Sequence, residues 1–328
     1  MRAFLEHVAL TIRSAVRPWV VGLRGRGVVG TSATGDATFE VDRLAEHRLE
    51  AVLRGSGRRL LYYSEDRGLV AVGSGAPEAV LIIDPIDGTR NARSGLEGCM
   101  VSVAAIVSPS RKRIKGLTLG DVTHACLAEI VGRRVFYAQR STGAEWREGG
   151  RTYRPRPSAE TDLDRIAWTL DIVGRPARQV FEVMGELVDR TSVTGGFFTG
   201  NSICFSLTRL ITGQLDAALD IANRIYRDRP ETHAAFLSAG RGAVMGLCPH
   251  DLAAAVLVAR EAGCAVTDAY GGSLDSMPAL AGDVARSPTA TAANGLAAES
   301  LRSLIAAGNP TLHARLLAHV NQRLGAQA

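Results

Sequence analysis

Residues 79–91 read AVLIIDPIDGTRN. The apolar run stops at Asp84, Pro85 bends the chain, Asp87 follows three positions on, and Gly88 and Thr89 come next. A buried strand meets solvent here, and it does so with two carboxylates and a flexible glycine. Asp-Pro and Asp-Gly are common turn formers, so one reading is a tight turn after a strand. The other is a metal centre. Two carboxylates three residues apart around a proline bend can converge on one small volume, and Mg²⁺ wants oxygen ligands in octahedral geometry. Gly88 lets the backbone approach an anion without a Cβ in the way. A helix beginning at Thr89 would present free N–H groups to a phosphate, and the Thr89 hydroxyl could orient a water.

Two more acidic elements sit at element ends. Glu65 and Asp66, in LLYYSEDRG, again follow an apolar run; they are either surface residues or ligands reaching a site in an adjoining loop. Asp251, in CPHDLAAAVLVAREAG, directly precedes an Ala/Leu helix and suits an N-cap. A cap and a metal ligand are compatible roles, because a carboxylate has more than one acceptor site.

Composition narrows the function classes. The 328 residues are 46% hydrophobic and 22% charged, which is ordinary globular chemistry. The net charge of +5 is almost all arginine, since the only lysines are Lys112 and Lys115. These arginines are scattered, and the tightest cluster, RKR at 111–113, reads as a turn between strands. Nucleic-acid binding, which calls for a dense basic stripe, is disfavoured; a modest positive field suits a small anionic substrate. Cys99, Cys126, Cys204, Cys248 and Cys264 show no CxxC spacing and mostly lie in apolar stretches, which argues for a reducing, cytoplasmic setting. The N-terminal MRAFLEHVALTIRSAV has helical apolar spacing interrupted by Glu6 and His7, so it reads as a packed helix rather than a signal peptide. No segment offers the roughly 20 apolar residues of a membrane span.

Along the chain, a helix is expected at 40–54 and strands at 59–63, 79–83 and 99–107, with a hairpin formed by CLAEIVG and RVFYA. The polar, Pro-rich stretch 141–162 is the candidate domain boundary, dividing an α+β part (1–150) from an α/β part (151–328). In the second part a strand at 166–173 precedes a helix started by Pro176. A short strand near 192, a helix at 201–212, a strand at 215–221, a helix at 252–262 and a strand at 264–268 follow. Residues 222–248 leave room for a short helix without a clear role, 283–295 form a loop, and helices are expected near 296–307 and 311–323.

These residues together resemble the inositol monophosphatase family of metal-dependent sugar phosphatases, most of all its archaeal bifunctional inositol monophosphatase/fructose-1,6-bisphosphatases. DPIDGTRN is similar to the family signature DPxDGTxN, and the SED containing Glu65 resembles its upstream acidic element. HDLAAAVLVAREAGCAVTD resembles the downstream stretch. GDATFEVDRLAE, with Asp36 and Asp42, resembles the early segment, and TGNSICFSL followed by GQLDAALD resembles the substrate-side helix and strand. The resemblance implies a layered αβαβα fold with the site between two subdomains. It implies that Glu65, Asp84, Asp87, Asp251 and the Ile86 carbonyl hold two or three Mg²⁺ ions, with Mn²⁺ as a substitute. Gly88 and Thr89 would hold the phosphate, Thr89 with Glu65 would position the attacking water, and Asp220 would bind substrate hydroxyls. It also implies a homodimer.

The sequence departs from the family pattern in places. Arg90, after Thr89, either supplies phosphate charge or faces solvent. His250 stands where many members have Trp, and is read as a neighbour of the metal acids rather than a ligand. The segment between Asp220 and Asp251 is long, and Arg224, Arg227 and Arg229 within it either reach a second phosphate or form a solvated basic loop. The expected activity is hydrolysis of inositol-1-phosphate, fructose-1,6-bisphosphate or both. The alternatives are 3′-phosphoadenosine 5′-phosphate as substrate, and a catalytically inactive relative that only binds a ligand.

Overall fold

A computed structural model describes residues 1–31, 37–109, 114, 116–280 and 301–325. The chain opens with α1 (Arg2–Val21), a short ribbon of β1 (Val28–Thr31) and β2 (Ala37–Phe39), and α2 (Glu40–Gly55). Next come β3 (Leu60–Ser64), β4 (Gly68–Val72), β5 (Ala79–Asp87), α3 (Thr89–Arg93) and β6 (Met100–Val107). Four strands then run as a meander: β7 (His124–Glu129), β8 (Val135–Gln139), β9 (Gly143–Glu148) and β10 (Arg151–Tyr153). The second part consists of β11 (Ala167–Leu170), α4 (Ala177–Thr191), β12 (Gly196–Phe198), α5 (Ile203–Ile211) and β13 (Ala217–Asp220), followed by α6 (Ala222–Asp228) and α7 (His233–Ala239). It closes with α8 (Pro249–Glu261), β14 (Ala265–Thr267), β15 (Leu304–Ala307) and α9 (Pro310–Gly325).

Strand alternation sorts these elements into five layers. The eight-stranded sheet runs β10-β9-β8-β7-β6-β5-β3-β4. On its outer face Leu81, Ile83, Val101, Val103 and Cys126 pack against α1 and α2. On its inner face Val80, Ile82, Ala104, Leu127 and Phe136 pack against α5 and α8. The five-stranded sheet, ordered β12-β11-β13-β15-β14, covers the other side of α5 and α8 with Ala218, Val266 and Ala306. Its outer residues Trp168, Leu219 and Ile305 bury α4 and α9. Successive side chains of a strand point to opposite faces, so one apolar run serves two cores. The result is the αβαβα layering expected from the resemblance. All five cysteines are buried and free, and among the described residues no helix is long and apolar enough to cross a membrane.

Several elements differ from expectation. Residues 304–307, expected to be helical, form β15 between β13 and β14; a four-residue apolar run buried on both faces carries no periodicity to separate strand from helix. The strand expected near 192 lies at 196–198, because α4 runs on to Thr191. Residues 143–153 of the expected boundary extend the first sheet as β9 and β10, where the rings of Trp146 and Tyr153 stack at 4.1 Å. Segment 222–248, where a short helix was allowed for, holds two, α6 and α7. The turn expected at 111–113, the loop expected at 283–295 and Asp36 lie outside the described residues.

The central helices are tied to the first sheet by a buried ion pair. Arg209 of α5 donates from Nη2 to Glu129 Oε1 of β7 at 2.5 Å, with both side chains under a tenth exposed. Removing one partner of such a pair strands a buried charge and typically costs about 3–5 kcal/mol. Arg209→Leu should therefore lower the urea midpoint strongly, and Arg209→Leu with Glu129→Leu should recover most of the loss. A single mutant as stable as the parent in urea unfolding would show that the pair does not hold the layers.

Candidate active site

The acids expected from sequence meet where β3 and β5 end beneath the N-termini of α5 and α8. The pairing of β5 with β6 slips between Asp84 and Asp87, so Pro85 and Ile86 bulge out of the ladder. A bulge bends its strand and re-aims its side chains, and proline has no N–H to lose from the ladder. Asp84 Oδ1 accepts from the Ile86 N–H at 2.9 Å. Asp87 Oδ2 accepts from Ser202 Oγ at 2.5 Å and from the Cys204 N–H at 2.8 Å, in the first turn of α5. The helix α8 begins three residues earlier than expected, with Pro249 in its first position, where a fixed φ suits a helix start. Asp251 is thus not the N-cap; it lies in the first turn, and its Oδ2 accepts from the Cys248 N–H at 2.6 Å.

Gly88 follows at φ +83°, and a Cβ there would come within 2.5 Å of the Gly98 carbonyl oxygen and 2.8 Å of Ser202 Cβ. Both conformation and space require glycine. Asn91 then fastens the turn, donating from Nδ2 to the carbonyls of Gly98 and Gly200 at 2.6 Å each. The Thr89 hydroxyl lies 3.1 Å from the Ile86 carbonyl oxygen and also within hydrogen-bond reach of the Asp42 carboxyl.

Glu65, Asp84, Asp87, Asp251, Ile86, Gly88, Thr89 and Arg90 all line one cavity. One oxygen each from Asp84, Asp87 and Asp251 lie within 4.8 Å of one another. Ionisation is opposed at these three aspartates. Burial, then Asp87, Glu65 and Asp251, drives Asp84 well above the usual carboxylate range. Burial, then Asp251, raises Asp87 to about 7. Burial raises Asp251 to about 8, with Glu65 adding to it. Crowded, desolvated, oxygen-rich donors of this kind suit a hard divalent cation, which would relieve the repulsion. The residues present therefore fit the metal ions that the resemblance implies.

Asp220 alone of the expected site residues does not line the cavity. It ends β13 with no exposed surface, and its Oδ2 accepts from Arg175 Nη2 at 2.5 Å. Arg175 itself lines the cavity beside Asp171. Burial works against its charge, but Asp220 and Asp171 outweigh burial and its pKa is raised. Arg175, from the turn between β11 and α4, thus presents a cation to the cavity where a free carboxylate was expected. No motif marks Arg175; only the full burial of Asp220 explains it. Asp42 was legible only as a family landmark; burial raises it to about 8. Two arginines of the long segment are used elsewhere. Arg224 donates to the Ala269 carbonyl and to Asn321, and Arg229 donates to the Arg323 carbonyl, which holds the segment onto α9. The end of that segment, Val244–Leu247, forms an apolar wall of the cavity together with Leu301.

Two outcomes follow from this geometry. The folded protein holds protons on Asp87 and Asp251 that the unfolded chain has already released, so without divalent cations stability is lost as pH rises toward about 7–8. Thermal unfolding in chelator should give a Tm that falls between pH 5 and pH 9, and added Mg²⁺ should remove most of the fall; a Tm flat in chelator would contradict the cluster. Gly88→Ala should lose roughly 1–3 kcal/mol to backbone strain alone and displace the Thr89 turn, read as lower stability in urea together with lost cation protection.

The inositol monophosphatase family profile matches residues 8–324. The chain is 25% identical over 314 residues to the fructose-1,6-bisphosphatase/inositol-1-monophosphatase of Methanothermobacter thermautotrophicus, covering 95% of this chain and 93% of that protein. It is 24% identical to the bifunctional NADP phosphatase/NAD kinase of Methanococcus maripaludis over 81% of this chain, though over only 43% of that longer protein. Its fold superposes on the extragenic suppressor protein suhB of Bartonella henselae with a TM-score of 0.66 at 18% identity, covering 98% of each chain. The chain belongs to the inositol monophosphatase family.

Proposed function

We propose that the protein is a Mg²⁺-dependent phosphomonoesterase acting on inositol-1-phosphate, fructose-1,6-bisphosphate or both. The observation that carries this reading is the convergence of Glu65, Asp84, Asp87 and Asp251 on the Gly88–Thr89 turn in one cavity. Spontaneous hydrolysis of a phosphate monoester is among the slowest reactions in biology, and much of the barrier is charge repulsion. Divalent ions held by the four carboxylates and the Ile86 carbonyl would neutralise the phosphate and lower the pKa of a bound water. The backbone N–H groups of Gly88 and Thr89 donate to phosphate oxygens, and Arg90 adds positive charge at the same turn. Thr89 and Glu65 orient the water and the Glu65 carboxylate accepts its proton, while Asp42 steadies the Thr89 hydroxyl. The leaving alcohol faces Arg175 and the Val244–Leu247 wall.

That side of the cavity bears on the substrate. A guanidinium anchored by Asp220 suits a leaving group carrying a second anion, which favours the bisphosphate over the simple polyol phosphate. A nucleotide phosphatase is the second reading, and the apolar wall of Val244, Met245, Leu247 and Leu301 favours it, since a base needs such a surface.

The test is phosphate release with and without Mg²⁺ from inositol-1-phosphate, fructose-1,6-bisphosphate, 3′-phosphoadenosine 5′-phosphate and NADP. Release from the first two identifies the sugar phosphatase; selective release from the last two identifies the nucleotide phosphatase. Asp87→Asn should cut turnover at least roughly 100-fold, the upper end of what loss of an outer partner of a metal ligand costs. The same variant should melt no lower than the parent in chelator at pH 8, because one repelling charge is gone. Mg²⁺-dependent turnover close to that of the parent would refute these roles.

A further inference from the structure

The imidazole of His250 sits inside the acidic cluster, and no hydrogen bond accounts for it. The residue is 2% exposed and occupies the second position of α8, where Pro249 fixes the start of the helix. Its Nδ1 is buried with no hydrogen-bond partner among the described residues. Its Nε2 lies 3.9 Å from Glu65 Oε2 and 3.8 Å from Asp251 Oδ1. Those separations are too long for hydrogen bonds. Buried polar groups in folded proteins nearly always have a partner; for Nε2, the nitrogen that faces the acids, a shared cation would supply one.

The same separations suit ligands of one ion. Metal–ligand bonds of about 2.0–2.2 Å put neighbouring donor atoms roughly 3 Å apart and opposite ones roughly 4.3 Å apart. Donor atoms of Glu65, Asp84 and His250 all lie within 4.8 Å of one another, as do those of Cys248, His250 and Asp251. Cys248 Sγ is instead turned toward the Gly246 carbonyl, 3.8 Å away.

We infer that His250 supplies Nε2 as a ligand to the ion shared by Glu65 and Asp84, making this a mixed oxygen–nitrogen centre. The inference rests on the metal-centre reading above. Imidazole suits borderline transition ions, whereas Mg²⁺ prefers oxygen alone, so the centre favours Mn²⁺ over Mg²⁺. Metal-bound histidines usually donate their second ring N–H to a partner that strengthens them. Here Nδ1 has none, so the nitrogen is a modest ligand rather than a dominant one.

The test loads the purified protein with Mn²⁺ and records pulsed EPR, alongside calorimetric titrations of Mn²⁺ and Mg²⁺. His250→Phe keeps a flat ring of similar bulk without nitrogen. The parent should show the nitrogen hyperfine coupling of a directly bound imidazole, and the variant should lack it. Mn²⁺ affinity should fall about tenfold in the variant, the low end for weakening a metal ligand set, while Mg²⁺ affinity changes less than about threefold. Mn²⁺ bound without nitrogen coupling in the parent overturns the inference and leaves the carboxylate centre standing. No Mn²⁺ binding at all overturns both. Where the variant fails to fold, the parent spectrum decides alone.

Discussion

Four carboxylates crowded at one point, with Asp84 and Asp87 drawn out of water, are the constraint on which this molecule is organised. Left alone they would repel, and the fold opposes that repulsion with backbone N–H groups before any cation binds. Asp87 is caught by the first turn of α5, and Asp251 lies in the first turn of α8. Both helices direct their N-termini at the acids, where the macrodipole favours negative charge. Their flanks also form the middle layer between the two sheets. The same two helices therefore bury the core and hold the charge, which couples the geometry of the site to the packing of the whole.

The opposite wall of the cavity follows different rules. There Asp220 anchors the Arg175 guanidinium, and an apolar ledge stands beside it. The carboxylates gather on the β5 side of the cavity, and the Arg175 guanidinium and the apolar ledge lie across from them. In the long segment 222–248, Arg224 and Arg229 are engaged in anchoring contacts, and its final residues shape the ledge.

Much of the β5 side was legible because it is local. DPIDGT packs the strand end, the bulge, the obligatory glycine and two buried carboxylates into six residues, and each has its own chemical signature. The α8 acid was legible for the same reason, although its capping position was misjudged by the early start at Pro249. Arg175 was not legible. Its partner lies 45 residues away, and nothing nearby in sequence marks that pairing. Four residues of β15 had no period to read, and a strand buried on both faces looks like a piece of buried helix. His250 was visible as a residue but not as an orphan, because hydrogen-bond satisfaction is a property of the packed structure.

The position of β15 sets an order of assembly. It lies between β13 and β14 and pairs antiparallel with both. Its pairing with β13 joins Asp220 to Leu304, two residues separated by most of the C-terminal third of the chain. Without it β14 has no neighbour in its sheet. Contacts of such long sequence separation carry loop-closure entropy that must be met before they stabilise anything. The first sheet, largely a local meander, can form early, whereas the second stays open along its centre until residues 304–307 insert. The apolar flank of α8 that faces the second sheet remains uncovered until then, so a nascent or partly unfolded chain would expose its stickiest surface beside the acidic cluster itself.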